Sequence, residues 1–111
     1  MRLTVRFDFD GNRRLGPGKI ALLEAIHATG SISAAGRSHQ MSYRRAWLLV
    51  EELNKLFAEP LVSAHPGGVK GGGATLTPMG EKVVALYRSA EKKMRDAAAA
   101  EIEIIEAALG G

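Results

Sequence analysis

Cysteine is absent from the 111 residues, which excludes disulfides, thiolate zinc sites and a cysteine nucleophile. Aromatic side chains are few, at 5%. There is no run of about 18 apolar residues, so no bilayer span is expected. The first ten residues, MRLTVRFDFD, alternate polar with apolar and lack the continuous apolar stretch of a secretory signal. A cytoplasmic location is the simplest expectation. The three histidines, His27, His39 and His65, lie far apart without metal-ligand spacing, and no Ser-His-Asp order or carboxylate pair points to catalysis. Neither an enzyme nor a cofactor is expected, and Asp8 and Asp10 read as turn formers.

Acid is missing where base is concentrated. Between Gly30 and Val50 there are three arginines, Arg37, Arg44 and Arg45, and no Asp or Glu. Over residues 1–77 ten Lys or Arg face six acids, whereas residues 78–111 hold five bases and six acids. The positive field therefore belongs to the first part of the chain. A solvated basic face accounts for the totals, but less well for the acid-free block.

Leu3, Val5, Phe7 and Phe9 alternate with polar residues as in a half-buried strand, and Asp10-Gly11-Asn12 turns the chain. Residues 17–29 carry apolar groups at helical spacing between Pro17 and Gly30. Two short helices joined by a tight turn follow, GSISAAGRSHQMSYRRAW over residues 30–47. Ser33 is expected to cap the first and Ser42 the second. Ile32, Ala35, Met41, Ala46 and Leu49 have the spacing of a shared seam. The second helix runs on through Val50, Leu53, Asn54 and Phe57 to a stop at Pro60.

Residues 61–65 and 74–77 read as two short strands around PGGVKGGG, a hairpin whose tip presents only Val69 and Lys70. Thr77-Pro78 opens an uninterrupted helix to about Leu109, near 45 Å long at about 1.5 Å per residue. The order is that of a winged helix-turn-helix: a mainly α domain with a small β component over residues 1–77, then a long interaction helix over 78–111.

The segments SISAAGRSHQMSYRRAWLLVEELN and GGVKGGGATLTPMGEKVV resemble the N-terminal DNA-binding domain of the ModE family, molybdate-responsive bacterial regulators. They are more distantly similar to the DNA-binding part of LysR-type regulators. The resemblance covers about residues 15–90 and implies a DNA-binding fold. Full-length ModE proteins carry further C-terminal domains that bind molybdate. The sequence to Gly111 is expected to hold none of them, so a molybdate link stays open.

Two positions depart from common helix-turn-helix practice. Gln40 falls where a left-handed glycine is usual, at about 1 kcal/mol. Gly36 falls where alanine is usual, at about the same cost to the first helix.

Tyr43, Arg44 and Arg45 stand at the opening of the recognition helix, able to donate to a nucleic acid in the major groove. Arg44 suits guanine O6 and N7, and Arg45, about 100° around the helix, suits phosphate. Tyr43 suits phosphate or a thymine methyl. Ser42 serves as cap or phosphate contact, Trp47 as core or stacking surface, and Lys70 as a phosphate or minor-groove contact or as part of a ligand-free loop. A phosphate-cradling nucleotide loop fails on spacing. Along the last helix Val83, Tyr87, Ala90, Met94 and Ala97, with Ile104 or Ile105 and Leu109, form an apolar stripe. A second copy is the simplest cover for it, a hairpin folded back on the core being the alternative. The expected function is a transcriptional regulator binding double-stranded DNA as a homodimer. The competing readings are a protein-interaction module with little DNA affinity and a small oxyanion sensor.

Overall fold

A computed structural model describes residues 1–68 and 71–111. Its elements run β1 (Phe7–Phe9), β2 (Arg13–Leu15), α1 (Pro17–Thr29), α2 (Ile32–Ser38), α3 (Tyr43–Leu56), β3 (Val62–Gly68), β4 (Gly71–Leu76), α4 (Pro78–Ala97) and α5 (Ala99–Ala107). The fold is mainly helical, with two separate antiparallel hairpins, β1–β2 and β3–β4.

The amino-terminal strand is shorter than its alternation predicts, and it has a partner that the sequence did not announce. Phe7 pairs with Leu15 and Asp8 with Arg14 across a short 3-10 turn, Asp10–Asn12. Strand side chains alternate between faces. Phe7 and Leu15 thus turn to the core, while Asp8 and Arg14 share the outer face.

Ile20, Leu22, Leu23 and Ile26 of α1 are fully buried. They sit among Ile32 and Ala35 of α2, Ala46, Val50 and Leu53 of α3, and Leu61, Val62 and Ala74 at the base of the second hairpin. Burying a side chain of this size contributes about 1.5–3 kcal/mol, so this cluster is the main source of stability. Gly30 ends α1 in the left-handed conformation (φ 71°), its amide donating to the Ile26 carbonyl at 2.8 Å. The Gly30 carbonyl in turn accepts from Ala74 N at 2.9 Å, which ties β4 to the start of the helix-turn-helix.

Asn54 closes α3 onto β3. Its Oδ1 accepts from Leu61 N at 2.9 Å and Val62 N at 3.0 Å, and its Nδ2 donates to the Val62 carbonyl at 3.1 Å. Both amides belong to buried residues. Asn54→Ala is therefore expected to destabilise the protein by about 1–3 kcal/mol, since buried donors lose their acceptor. A lower urea midpoint at unchanged m checks this.

Thr77 caps α4, accepting from Gly80 N at 3.0 Å. The sequence predicts one uninterrupted helix from here, but Ala98 (φ −99°, ψ 7°) separates α4 from α5. Hydrogen bonds Ala98 N to Met94 O and Ile102 N to Ala98 O flank the break at 3.1 and 3.0 Å. No proline or glycine accounts for it.

Arg88 ties α4 to α1 through Glu24, at 2.7 and 3.0 Å, and also meets Glu91 at 2.9 Å. Hydrogen bonding from that guanidinium holds the Glu24 carboxyl below its ordinary pKa. Tyr87 is 2% exposed and donates its hydroxyl to the Val5 carbonyl. Its ring meets Phe7 edge-on at 5.7 Å, and burial raises the phenol pKa. Tyr87 therefore packs in the chain's own core and is not on an exposed face as the sequence suggests. The apolar stripe gave no sign of this, because a helix facing its own hairpin and one facing a second copy share the same spacing.

Candidate nucleic-acid interface

Two helix caps and one backbone corner build the site. Ser31, and not Ser33, caps α2: its Oγ accepts from Ala34 N at 3.1 Å. The helix begins at Ile32, so Ser33 already lies inside the first turn, where it lines a cleft. Ser42 caps α3 as expected, accepting from Arg45 N at 3.1 Å.

Between the helices the chain reverses through Gln40 at φ 57°. The carbonyl of Gly36 accepts from Met41 N at 2.9 Å, and that of Arg37 accepts from Gln40 N at 3.1 Å. This is a Schellman closure, with the last carbonyls of α2 satisfied by the residues that leave it. Gln40 occupies the left-handed position that the sequence assigned to it. Gly36 is explained by contact: a Cβ there would lie 2.9 Å from the Ala46 Cβ. The small residue lets α2 and α3 touch at their crossing, and this close packing offsets the weaker helix propensity.

From this corner one face of the first two turns of α3 projects outward. Tyr43 is 62% and Leu48 52% exposed, and Arg44 and Arg45 are exposed beside them. Neither arginine has an acidic partner among the described residues. Glu51 and Glu52, about two turns beyond Arg44 and Arg45, end the positive face.

Tyr43 and Trp47 meet edge-on at 6.1 Å. With Ser31, Ser33, His65 and Gly73 they line a cleft of about 120 Å³ between α3 and the β3–β4 wing. Trp47 is half-buried against the core, and its Nε1 is buried without a hydrogen-bond partner among the described residues. Its ring backs Tyr43 from the core side. Leu48 and the cap Ser31 escaped the sequence reading, and His65, read there only as a histidine without metal-ligand spacing, lines the cleft. Leu48 sits on the outward face only because Val50 and Leu53 take the inward one. Lys70 lies outside the described residues.

The expected dimer residues separate. Val83 packs on the core with Tyr87, and Ala90 is half-buried beside a groove of about 370 Å³ lined by Phe7, Phe9, Phe57 and Leu86. Met94, Ala97 and Ile105 are exposed, with Ile104 and Leu109. The amino terminus lies 3.7 Å from Glu106 of α5. Among the described residues no three His, Asp or Glu side chains gather to hold a metal, and no helix is long and apolar enough to cross a membrane.

No protein-family model matches the chain, but individual relatives do. The molybdenum-pterin-binding protein MopB of Rhodobacter capsulatus is 54% identical over 78 residues, 70% of this chain and 29% of that protein. The molybdenum transport protein ModE of Azotobacter vinelandii is 41% identical over 90 residues, 81% of this chain and 33% of its own length. Over part of its length the chain is similar to proteins named as ModE regulators. The DNA-binding transcriptional dual regulator ModE of Escherichia coli K12 is 41% identical over 71 residues, 64% of this chain and 27% of that ModE. This chain thus spans about a third or less of these ModE and MopB relatives. A crystal structure of a LysR family transcriptional regulator superposes with a TM-score of 0.56 over 85% of this chain and 30% of that one, at 18% identity. That likeness establishes the winged-helix fold.

Proposed function

We propose that this chain reads duplex DNA as a homodimeric transcriptional regulator, with the start of α3 in the major groove and the wing beside it. One observation carries the reading: Tyr43, Arg44 and Arg45 stand exposed and without acidic partners among the described residues. They open a helix whose entry is fixed by the Ser42 cap and the Gly36–Met41 closure. Cations at a helix start oppose its dipole, so a phosphate backbone is a better reason for them than helix stability. Homology to proteins named as DNA-binding regulators supports the same conclusion.

Arg44 reaches a guanine edge and Arg45 a phosphate, while Leu48 offers an apolar surface to a thymine methyl. Lys70 adds a backbone contact from the wing. Met94, Ala97, Ile104 and Ile105 supply the exposed apolar face on which a second copy docks. A two-fold pair then sets two recognition helices about 34 Å apart, or a multiple of it, on a palindromic site.

A salt titration of binding tests the DNA reading. Log affinity should fall linearly with log salt, with a slope near −0.9 for each phosphate contacted. A flat response would assign the domain to protein interaction instead. Sedimentation at micromolar concentration tests the pair, and a monomer there removes the dimer.

A further inference from the structure

On the flank of α3 turned away from the wing, an open groove of about 340 Å³ lies between the N-terminal hairpin and the start of α1. Four cations line it: Arg6, Arg14, Lys19 and Arg45. Arg45 and Leu49 face this groove, whereas Tyr43 and Trp47 face the wing cleft. Residues two apart lie about 200° around a helix, so the two depressions flank the recognition helix on opposite sides.

Strand register gathers the hairpin cations. Asp8 pairs opposite Arg14, and Arg6, two residues before Asp8, shares that outer face. Arg6 meets Asp8 at 2.9 Å and Arg14 meets it at 3.7 Å, all three more than half exposed. Lys19 is held by Glu52 at 3.0 Å. Two acids against four bases leave the groove positive, with Arg45 unpaired among the described residues. The stem of Arg6 rests on Gly16, where a Cβ would come within 3.1 Å of its Cγ, so the guanidinium is presented from a packed base. Exposed ion pairs of this kind hold weakly and exchange readily for a phosphate.

We propose that Arg6 and Arg14 grip the DNA backbone beside the major groove, so that the recognition helix is straddled by the wing on one side and the N-terminal hairpin on the other. This rests on the DNA reading above. Continuity favours duplex DNA over a free anion, because Arg45 belongs both to the opening of α3 and to the groove. The groove is also open along its length and does not enclose a small ligand.

The test uses the full chain, the double variant Arg6→Ala/Arg14→Ala and its partner Arg6→Lys/Arg14→Lys. Fluorescence anisotropy is followed on a selected and on a random-sequence duplex. The alanine variant should weaken binding to both duplexes alike. The fold-loss of affinity between about 50 and 200 mM salt should be about 3.5 times smaller for each phosphate that is no longer gripped, a slope reduced by about 0.9. The lysine variant should regain the parental slope. An unchanged slope in the alanine variant overturns the proposal, as does an equally shallow slope in the lysine variant. Parental protein that binds neither duplex overturns the underlying DNA reading instead. If the double alanine variant does not fold, as judged by circular dichroism, Arg14→Ala alone carries the same comparison.

Discussion

Substituting Gly80 by alanine is expected to lower the melting temperature by about 10 °C or more, which is about 3 kcal/mol for a domain of this size. The added Cβ would lie 2.2 Å from the Leu61 carbonyl oxygen and 3.0 Å from its carbon. Those are backbone atoms, so no side chain can swing aside. The same carbonyl accepts from Thr77 N at 2.9 Å, and Thr77 Oγ1 donates to the Pro60 carbonyl at 2.7 Å. Moving Leu61 also pulls on the Asn54 clamp. The clash thus reaches the α4 cap and the junction of α3 with β3 together. Total stabilities of about 5–15 kcal/mol make such a loss a large share. Gly18→Ala is the internal control, because nothing lies within 4 Å of its Cβ position. Parallel thermal melts should show that variant unchanged or more stable by up to about 1 kcal/mol, since alanine favours helix. Equal melting temperatures for Gly80→Ala and the parent would show that α4 does not abut Leu61.

Arg44→Ala is expected to relax base preference at one position of each half-site and to weaken binding to the preferred duplex by about 1–3 kcal/mol. A neutral side chain there cannot make the paired contact to guanine O6 and N7. Arg44→Lys keeps the charge but not the planar fork, so it should restore general affinity without restoring the preference. Selection from random duplexes with each protein separates the two effects. A preference profile in Arg44→Ala identical to the parent's refutes a base-reading role. Folding should be untouched, because Arg44 is exposed and its only tie to the helix is its backbone.

Helices α1 and α3 were legible because each carries both an apolar period and a terminal signal, Pro17 with Gly30 and Ser42; α2 was legible from its place before the corner, with Ser33 taken for its cap. The left-handed residue at Gln40 could be located because the corner has a fixed geometry. The cap of α2 was misplaced by two residues, since SIS offers a serine on either side of Ile32. Local bonding decides, with Thr29 Oγ1 accepting from Ser31 N and leaving Ser31 Oγ free for Ala34. The strand at Arg13–Leu15 was illegible because three residues, two of them charged, carry no alternation to detect. Tyr87 was misassigned for a different reason. Periodicity reports which face of a helix is apolar but not what lies against it, and Val5 and Phe7 are about 80 positions away. Asn54 likewise looked like one polar residue in a stripe, because spacing along a helix does not show that Leu61 and Val62 return their backbone groups to it. At the interface, the residue types at 43–45 were plain from sequence. The grouping of Arg6 and Arg14 beside Arg45 required the hairpin register.

The corner between α2 and α3 is closed by carbonyls and amides and by the contact of Gly36 with Ala46, and none of the outward side chains takes part. Mechanical support is therefore carried by one set of atoms, and the DNA contacts proposed for the outward side chains would be carried by another. Exposed Arg44 and Leu48 should therefore accept exchange in combinatorial libraries with little penalty to folding, whereas randomising Gly36 would dismantle the frame that holds them.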